Sequence, residues 1–217
     1  MRAIVLYAIG SPLIVDAEEA CARAGITIAA AVRNVAGRTW LSSDVRIVDE
    51  SAVDDALLRI PVAVVLFTPG HRLRAFEAAH ARGFTTDALL VDPTSIIARS
   101  ASIGGGTFIN AGCVIAGGVT IGERVVLNRS SSIGHHARVA DYASIGPGAV
   151  LAGSVTVDRG ATLGAGAVVL PDVHIGANAV VAAGSVVRES VPPHTLIGGN
   201  PARMLRTGID GYNDVSV

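Results

Sequence analysis

From Ile97 to Val187 an aliphatic residue falls at every sixth position, running Ile97, Ile103, Ile109, Ile115, Ile121, Leu127, Ile133, Val139 and on through Leu163, Val181 and Val187. Two residues before each stands a small or slim side chain, among them Ser95, Ala101, Thr107, Cys113 and Val119. A helix would repeat near 3.6 residues and a two-faced strand at 2, so neither explains the spacing. A period of six is that of a parallel β-helix, in which each hexad makes one short strand and one corner. Three hexads make a coil of 18 residues. The aliphatics and their companions point inward and stack on their equivalents one coil away, at the ~4.8 Å spacing of paired strands. Glycine recurs three residues after many of the aliphatics (Gly106, Gly112, Gly118, Gly148, Gly160), where a corner demands a permissive backbone. A coil cannot bury its own interior, so such a stack also needs caps at its ends.

The first ninety residues follow another rhythm. Ala3–Tyr7, Ile26–Val32, Val45–Val48 and Val62–Phe67 read as strands, with Leu89–Val91 closing the set. Leu13–Ala24 and Arg72–Arg82 read as helices, and Ser51 as the cap of a short helix through Leu58. Alternating strands and helices give a small parallel sheet of Rossmann type. The expected organisation is therefore an α/β Rossmann-like domain over 1–91, a β-helix domain with its C-terminal cap over 92–205, and a polar tail over 206–217 that need not be ordered. Asp92-Pro93 is the hinge.

Composition excludes several function classes. With 17 basic and 18 acidic residues the net charge is −1, which gives no general pull toward nucleic acid or an anionic membrane. No apolar run approaches a membrane span, and no signal peptide is evident. Two cysteines, one at an inward position of the repeat, make no disulfide framework and point to the cytoplasm.

A β-helix is a scaffold, so function belongs to residues that break its surface pattern. The clearest break is His135-His136 after Ile133-Gly134. Both occupy a corner, where other hexads carry mostly Gly, Ala, Pro or a charged residue. Imidazole is the natural general base near neutral pH; the alternative is a solvated pair. Eighteen residues beyond His135, one coil on, comes Gly153, which leaves room for a substrate and an exposed backbone N–H.

The hexad run resembles the hexapeptide-repeat acyltransferases, which implies a left-handed parallel β-helix and a homotrimer. More narrowly, Leu127 through Ser154, the N-terminal Rossmann-like unit and the closing Gly199-Asn200-Pro201-Ala202-Arg203 resemble the bacterial nucleotide-amino-sugar N-acetyltransferases and the related sialic-acid O-acetyltransferase-like proteins. That resemblance implies an acetyl-CoA-dependent acetyltransferase acting on an amino or hydroxyl group of a sugar. It places the base on His135, a substrate-binding asparagine on Asn128, and the glycine beside the thioester on Gly153. The pantetheine arm would run past Ser144, Gly153, Ala165 and Ala183, with the CoA phosphates near Arg188 or Arg203. The nucleotide turn of the N-terminal unit falls on Tyr7 to Pro12, with Gly10 and Ser11 at its centre.

The chain departs from that family in three places. The carboxylate that usually flanks the histidine is absent, the neighbours being Gly134 and His136, so His136 stands as a weaker partner able to hydrogen-bond its neighbour. A second histidine nine residues on is Ser144 here. One glycine and a proline make a weak phosphate turn, which leads us to expect Ser11 and Pro12 to crowd the phosphate path. Zinc carbonic anhydrases with a similar repeat need two histidines five residues apart; the repeat holds no such pair, so no metal is expected. The rival readings are a non-catalytic trimer or sugar-binding scaffold, and an acetyltransferase for a non-nucleotide acceptor whose N-terminal unit binds UDP-type nucleotides weakly or not at all.

Overall fold

The computed structural model describes residues 3–217. The N-terminal unit contains β1 (Ala3–Tyr7), α1 (Ile14–Ala24), β2 (Thr27–Arg33), β3 (Ile47–Asp49), α2 (Asp55–Leu58), β4 (Val62–Val64) and α3 (Pro69–Arg82). Its sheet runs β3-β2-β1-β4, all parallel. The strands are near-continuous aliphatic runs because helices cover both faces. Two details differ from the sequence reading. Asp54, and not Ser51, caps α2, accepting a hydrogen bond from the Leu57 N–H at 2.9 Å; Ser51 lies in a separate 3₁₀ turn. Helix α3 starts at Pro69 and not Arg72, since proline fits the first helical turn, where no amide donor is needed.

The hexads build a triangular prism. Its eight-stranded face contains Phe108–Ile109, Val126–Leu127, Ser144–Ile145, Thr162–Leu163 and Val180–Val181; its six-stranded face contains Val114–Ile115, Ser132–Ile133 and Val150–Leu151; its five-stranded face contains Thr120–Ile121, Arg138–Val139 and Thr156–Val157. Each rung joins residue i to residue i + 18 in parallel register, as Val126 to Ser144 and Ser132 to Val150. The inward aliphatics from Ile109 to Val187 are buried in one continuous core with their small companions. Pairing also corrects one element. Leu90–Val91 does not close the α/β sheet; it pairs with Phe108–Ile109 as the first rung of the eight-stranded face. At the other end Thr195–Gly199 extends that face and turns back antiparallel through Ala202–Thr207.

The two units are joined by Arg72, which is fully buried on α3 with no carboxylate partner. Its guanidinium donates to the carbonyls of Arg124 (2.7 Å), Leu66, Phe67 (3.1 Å), Tyr142 and Ala143 (3.1 Å), and to Ser144 Oγ (3.1 Å). Backbone oxygens thus replace the counter-ion that a buried charge ordinarily requires. Burial pushes this group down to about 9, which still leaves it charged at neutral pH.

The C-terminal segment is not a loose tail. Ile209 is buried and its N–H donates to His194 O, Asn213 Nδ2 donates to Thr68 Oγ1 at 2.9 Å, and the Val217 N–H donates to Asn178 Oδ1 at 3.1 Å. It therefore runs from the prism past the loop between β4 and α3 and back onto the prism. Among the described residues, no helix is long and apolar enough to cross a membrane.

Candidate functional site

His135 and His136 lie in the turn between Ser132–Ile133 and Arg138–Val139, where the six- and five-stranded faces meet. His136 occupies the corner position that glycine fills in other coils, with φ 59°, whereas His135 has no such backbone requirement. The two rings lie against different neighbouring coils. A Cβ built on Gly153, one coil on, would lie 2.5 Å from His135 Cε1 and 2.7 Å from its Nε2. A Cβ built on Gly118, one coil back, would lie 2.9 Å from His136 Cδ2. Each ring thus rests on a glycine, and both are exposed. Their Nδ1 atoms are 3.1 Å apart and the rings are tilted at 78°. Only one proton fits between two Nδ1 atoms, so one ring donates while the other accepts. If His135 donates, its Nε2 lone pair is free.

Asn128, Ala165 and Ala183 come together on a different edge, where the eight- and six-stranded faces meet. They line a cavity of about 370 Å³ together with Pro147, Phe67 and Tyr212. The Phe67 and Tyr212 rings meet edge to face, 5.8 Å apart, so the α/β unit and the C-terminal segment both wall this space. Neither aromatic was legible in the repeat, because both reach the prism from outside it. The width of the six-stranded face separates this edge from the His135 edge within one chain. The outward residues Ile96, Val114 and Val150 of that face are 67%, 43% and 37% exposed.

Ser144 does not line this cavity. It is fully buried under the α/β unit, donating from Oγ to Phe67 O at 2.6 Å and accepting from Arg72. The sequence places it correctly on an outward strand position but cannot show that another unit covers that position. Arg188 and Arg203 do converge, on a cavity of about 240 Å³ between the last coil and the closing hairpin.

Gly10 and Ser11 follow β1 and line a third cavity, of about 280 Å³, with Asn34 after β2 and Leu66, His71 and Arg74 after β4. It lies at the carboxyl ends of the strands, on either side of β1, where open α/β sheets form their ligand crevice. Of the two residues expected to crowd the phosphate path, Ser11 does line this cavity, whereas Pro12 is exposed and outside its lining. Ser11 Oγ accepts from the Leu13 N–H at 3.3 Å at the start of α1. Among the described residues, no group of three or more His, Cys, Asp or Glu side chains is arranged to hold a metal ion.

Residues 154–189 match the family model for the bacterial transferase hexapeptide repeat. A single-residue variant of perosamine N-acetyltransferase from Caulobacter crescentus, solved with CoA and GDP-perosamine, is 27% identical with a TM-score of 0.81, over 95% of this chain and 97% of that one. This is the architecture of the hexapeptide-repeat sugar acetyltransferases. The acetyltransferase domain of PglB from Neisseria gonorrhoeae, solved with acetyl-coenzyme A, shares the fold at 22% identity and a TM-score of 0.83, over 94% and 99% of the two chains. WeeI from Acinetobacter baumannii does so at 22% and 0.77, over 94% and 100%. A search of curated proteins finds no match to this chain.

Proposed function

We propose that this hexapeptide-repeat protein transfers an acetyl group from acetyl-CoA to the amino group of a nucleotide-linked sugar, with His135 as general base. The observation that carries the reading is the His135 ring lying on Gly153 with His136 at its Nδ1. In that arrangement His135 Nε2 takes a proton from the acceptor amine as its nitrogen attacks the thioester carbonyl. A backbone N–H steadies the oxyanion, and collapse of the tetrahedral intermediate expels the CoA thiolate. Among the described residues the Gly153 N–H donates to no acceptor in the chain, which suits it to that role. His136, which brings no negative charge, orients the ring in place of a carboxylate.

The cofactor would follow the edge at Ala165 and Ala183, with its phosphates toward Arg188 and Arg203, whose cationic side chains suit phosphate. Because that edge and the His135 edge bound opposite sides of the six-stranded face, a site using both needs a second copy. A homotrimer that buries Ile96, Val114 and Val150 supplies it. The acceptor's nucleotide fits the crevice at Gly10, Ser11 and Arg74.

The test is release of free thiol from acetyl-CoA against a panel of UDP- and GDP-linked amino sugars, simple sugars and amines. Release with a nucleotide amino sugar supports the reading. Release only with simple sugars or amines moves the acceptor, and no release with any of them leaves the scaffold reading in its place.

A further inference from the structure

Asn128 does not stand alone in the wall of its cavity. Its Oδ1 accepts from the Arg129 N–H at 2.8 Å and from Asn110 Nδ2 at 3.0 Å. The backbone donor fixes which end of the amide is oxygen, since two N–H groups cannot face each other. One coil back, Asn110 is held in the same way, with its Oδ1 accepting from the Ala111 N–H at 2.7 Å and its Nδ2 also donating to Asp16 Oδ2 at 2.8 Å. Asp16, on the first turn of α1, accepts from the Arg129 guanidinium as well. The ladder thus begins on a carboxylate of the α/β unit and climbs the prism edge through Asn110 to Asn128.

It can climb no further. The next position in register is Gly146, where a Cβ would lie 2.7 Å from the Ala165 backbone nitrogen. Among the described residues Asn128 Nδ2 donates no hydrogen bond, and it is not among the fully buried unpaired atoms, although Asn128 is only 7% exposed. Its carbonyl is saturated and its amide nitrogen is open at the cavity.

We propose that Asp16 and Asn110 are positioning residues that fix Asn128 as a donor-only group, so that this cavity selects a ligand presenting an acceptor oxygen. The ligand's identity rests on the acetyl-transfer reading, which offers two sources: the thioester carbonyl of acetyl-CoA, or an oxygen of the acceptor sugar. The chemistry is the same for both, a neutral or developing negative oxygen receiving one N–H.

Equilibrium binding of acetyl-CoA, CoA and the UDP- and GDP-linked amino sugars, without turnover, tests it in wild type, Asn128→Asp and Asn110→Asp. Asn128→Asp keeps size and the bond from Arg129 but turns an oxygen toward the ligand. It should weaken one oxygen-bearing ligand by about 10–100-fold. If the oxygen is the thioester's, acetyl-CoA loses affinity while CoA keeps it; if it is the acceptor's, the amino sugar loses affinity and acetyl-CoA keeps it. Asn110→Asp sets an acceptor opposite both Asn128 Oδ1 and Asp16 Oδ2, so its melting temperature should fall, yet the loss of affinity should fall on that same ligand and spare the others, although Asn110 is buried away from the cavity. Binding of every probe at wild-type strength in Asn128→Asp overturns the proposal, as does a uniform loss that tracks the melting temperature, or a wild type that binds none of them. Selective binding loss without thiol release from any acceptor would sink the acetyl-transfer reading and leave the donor-only site standing.

Discussion

The His135 imidazole rests on Gly153, so close that a methyl group there would lie 2.5 Å from its Cε1. Gly153 has no left-handed backbone requirement, so alanine there strains nothing but the ring. The ring is the movable partner and would swing away from its seat. Gly153→Ala is therefore expected to fold with little change in melting temperature while turnover falls at least about tenfold, since small misplacements of a catalytic group carry large rate penalties. Steady-state kinetics beside a thermal melt checks this.

Arg72 carries the junction between the two units. Arg72→Met keeps the length of the side chain but leaves the carbonyls of Arg124 and Tyr142 without their donor, while that of Ala143 keeps the Val126 N–H. Each buried orphan costs on the order of 1–3 kcal/mol, so a loss of at least ~2 kcal/mol is expected. Urea unfolding monitored by circular dichroism would show it as a lower midpoint, and an unchanged midpoint would contradict the role given to Arg72.

Asp92 sets an acid limit on stability. Burial alone would push its carboxyl up, but hydrogen bonds from the Arg23 guanidinium at 2.8 Å and from Thr94 hold it below its ordinary value. A folded-state pKa below the unfolded one contributes stability that is present above the unfolded value, about 3.9, and is lost as pH falls through the folded value. Asp92→Asn should thus melt well below wild type at pH 7. The gap should close as the pH is brought down past 4, and a gap independent of pH would refute the assignment.

The prism was legible because its contacts are nearly one-dimensional. A residue in a β-helix meets the residues 18 before and 18 after it, so a period of six fixes the core, the corners and even the glycine seat of His135. What the register could not supply was anything arriving from outside it. Ser144 sits at a proper outward position, yet α3 covers it. Tyr212 looks like part of a polar tail, yet it closes the cavity beside Asn128. Leu90–Val91 fits a Rossmann strand by composition, and only its pairing with Phe108–Ile109 assigns it to the prism. The Asp16–Asn110–Asn128 ladder was half visible: Asn110 and Asn128 are 18 apart, but their carboxylate comes from a helix 94 residues before the first of them.

The central claim is that His135 is the base and His136 its orienting partner. Steady-state kinetics of His135→Ala and His136→Ala, with the acceptor found by thiol release, tests it most directly. General-base removal typically costs ~10²–10⁴-fold, so His135→Ala should lose turnover on that scale with acetyl-CoA affinity little changed, while His136→Ala should lose less. Wild-type turnover in His135→Ala, with the fold intact, would place the base elsewhere and contradict the account.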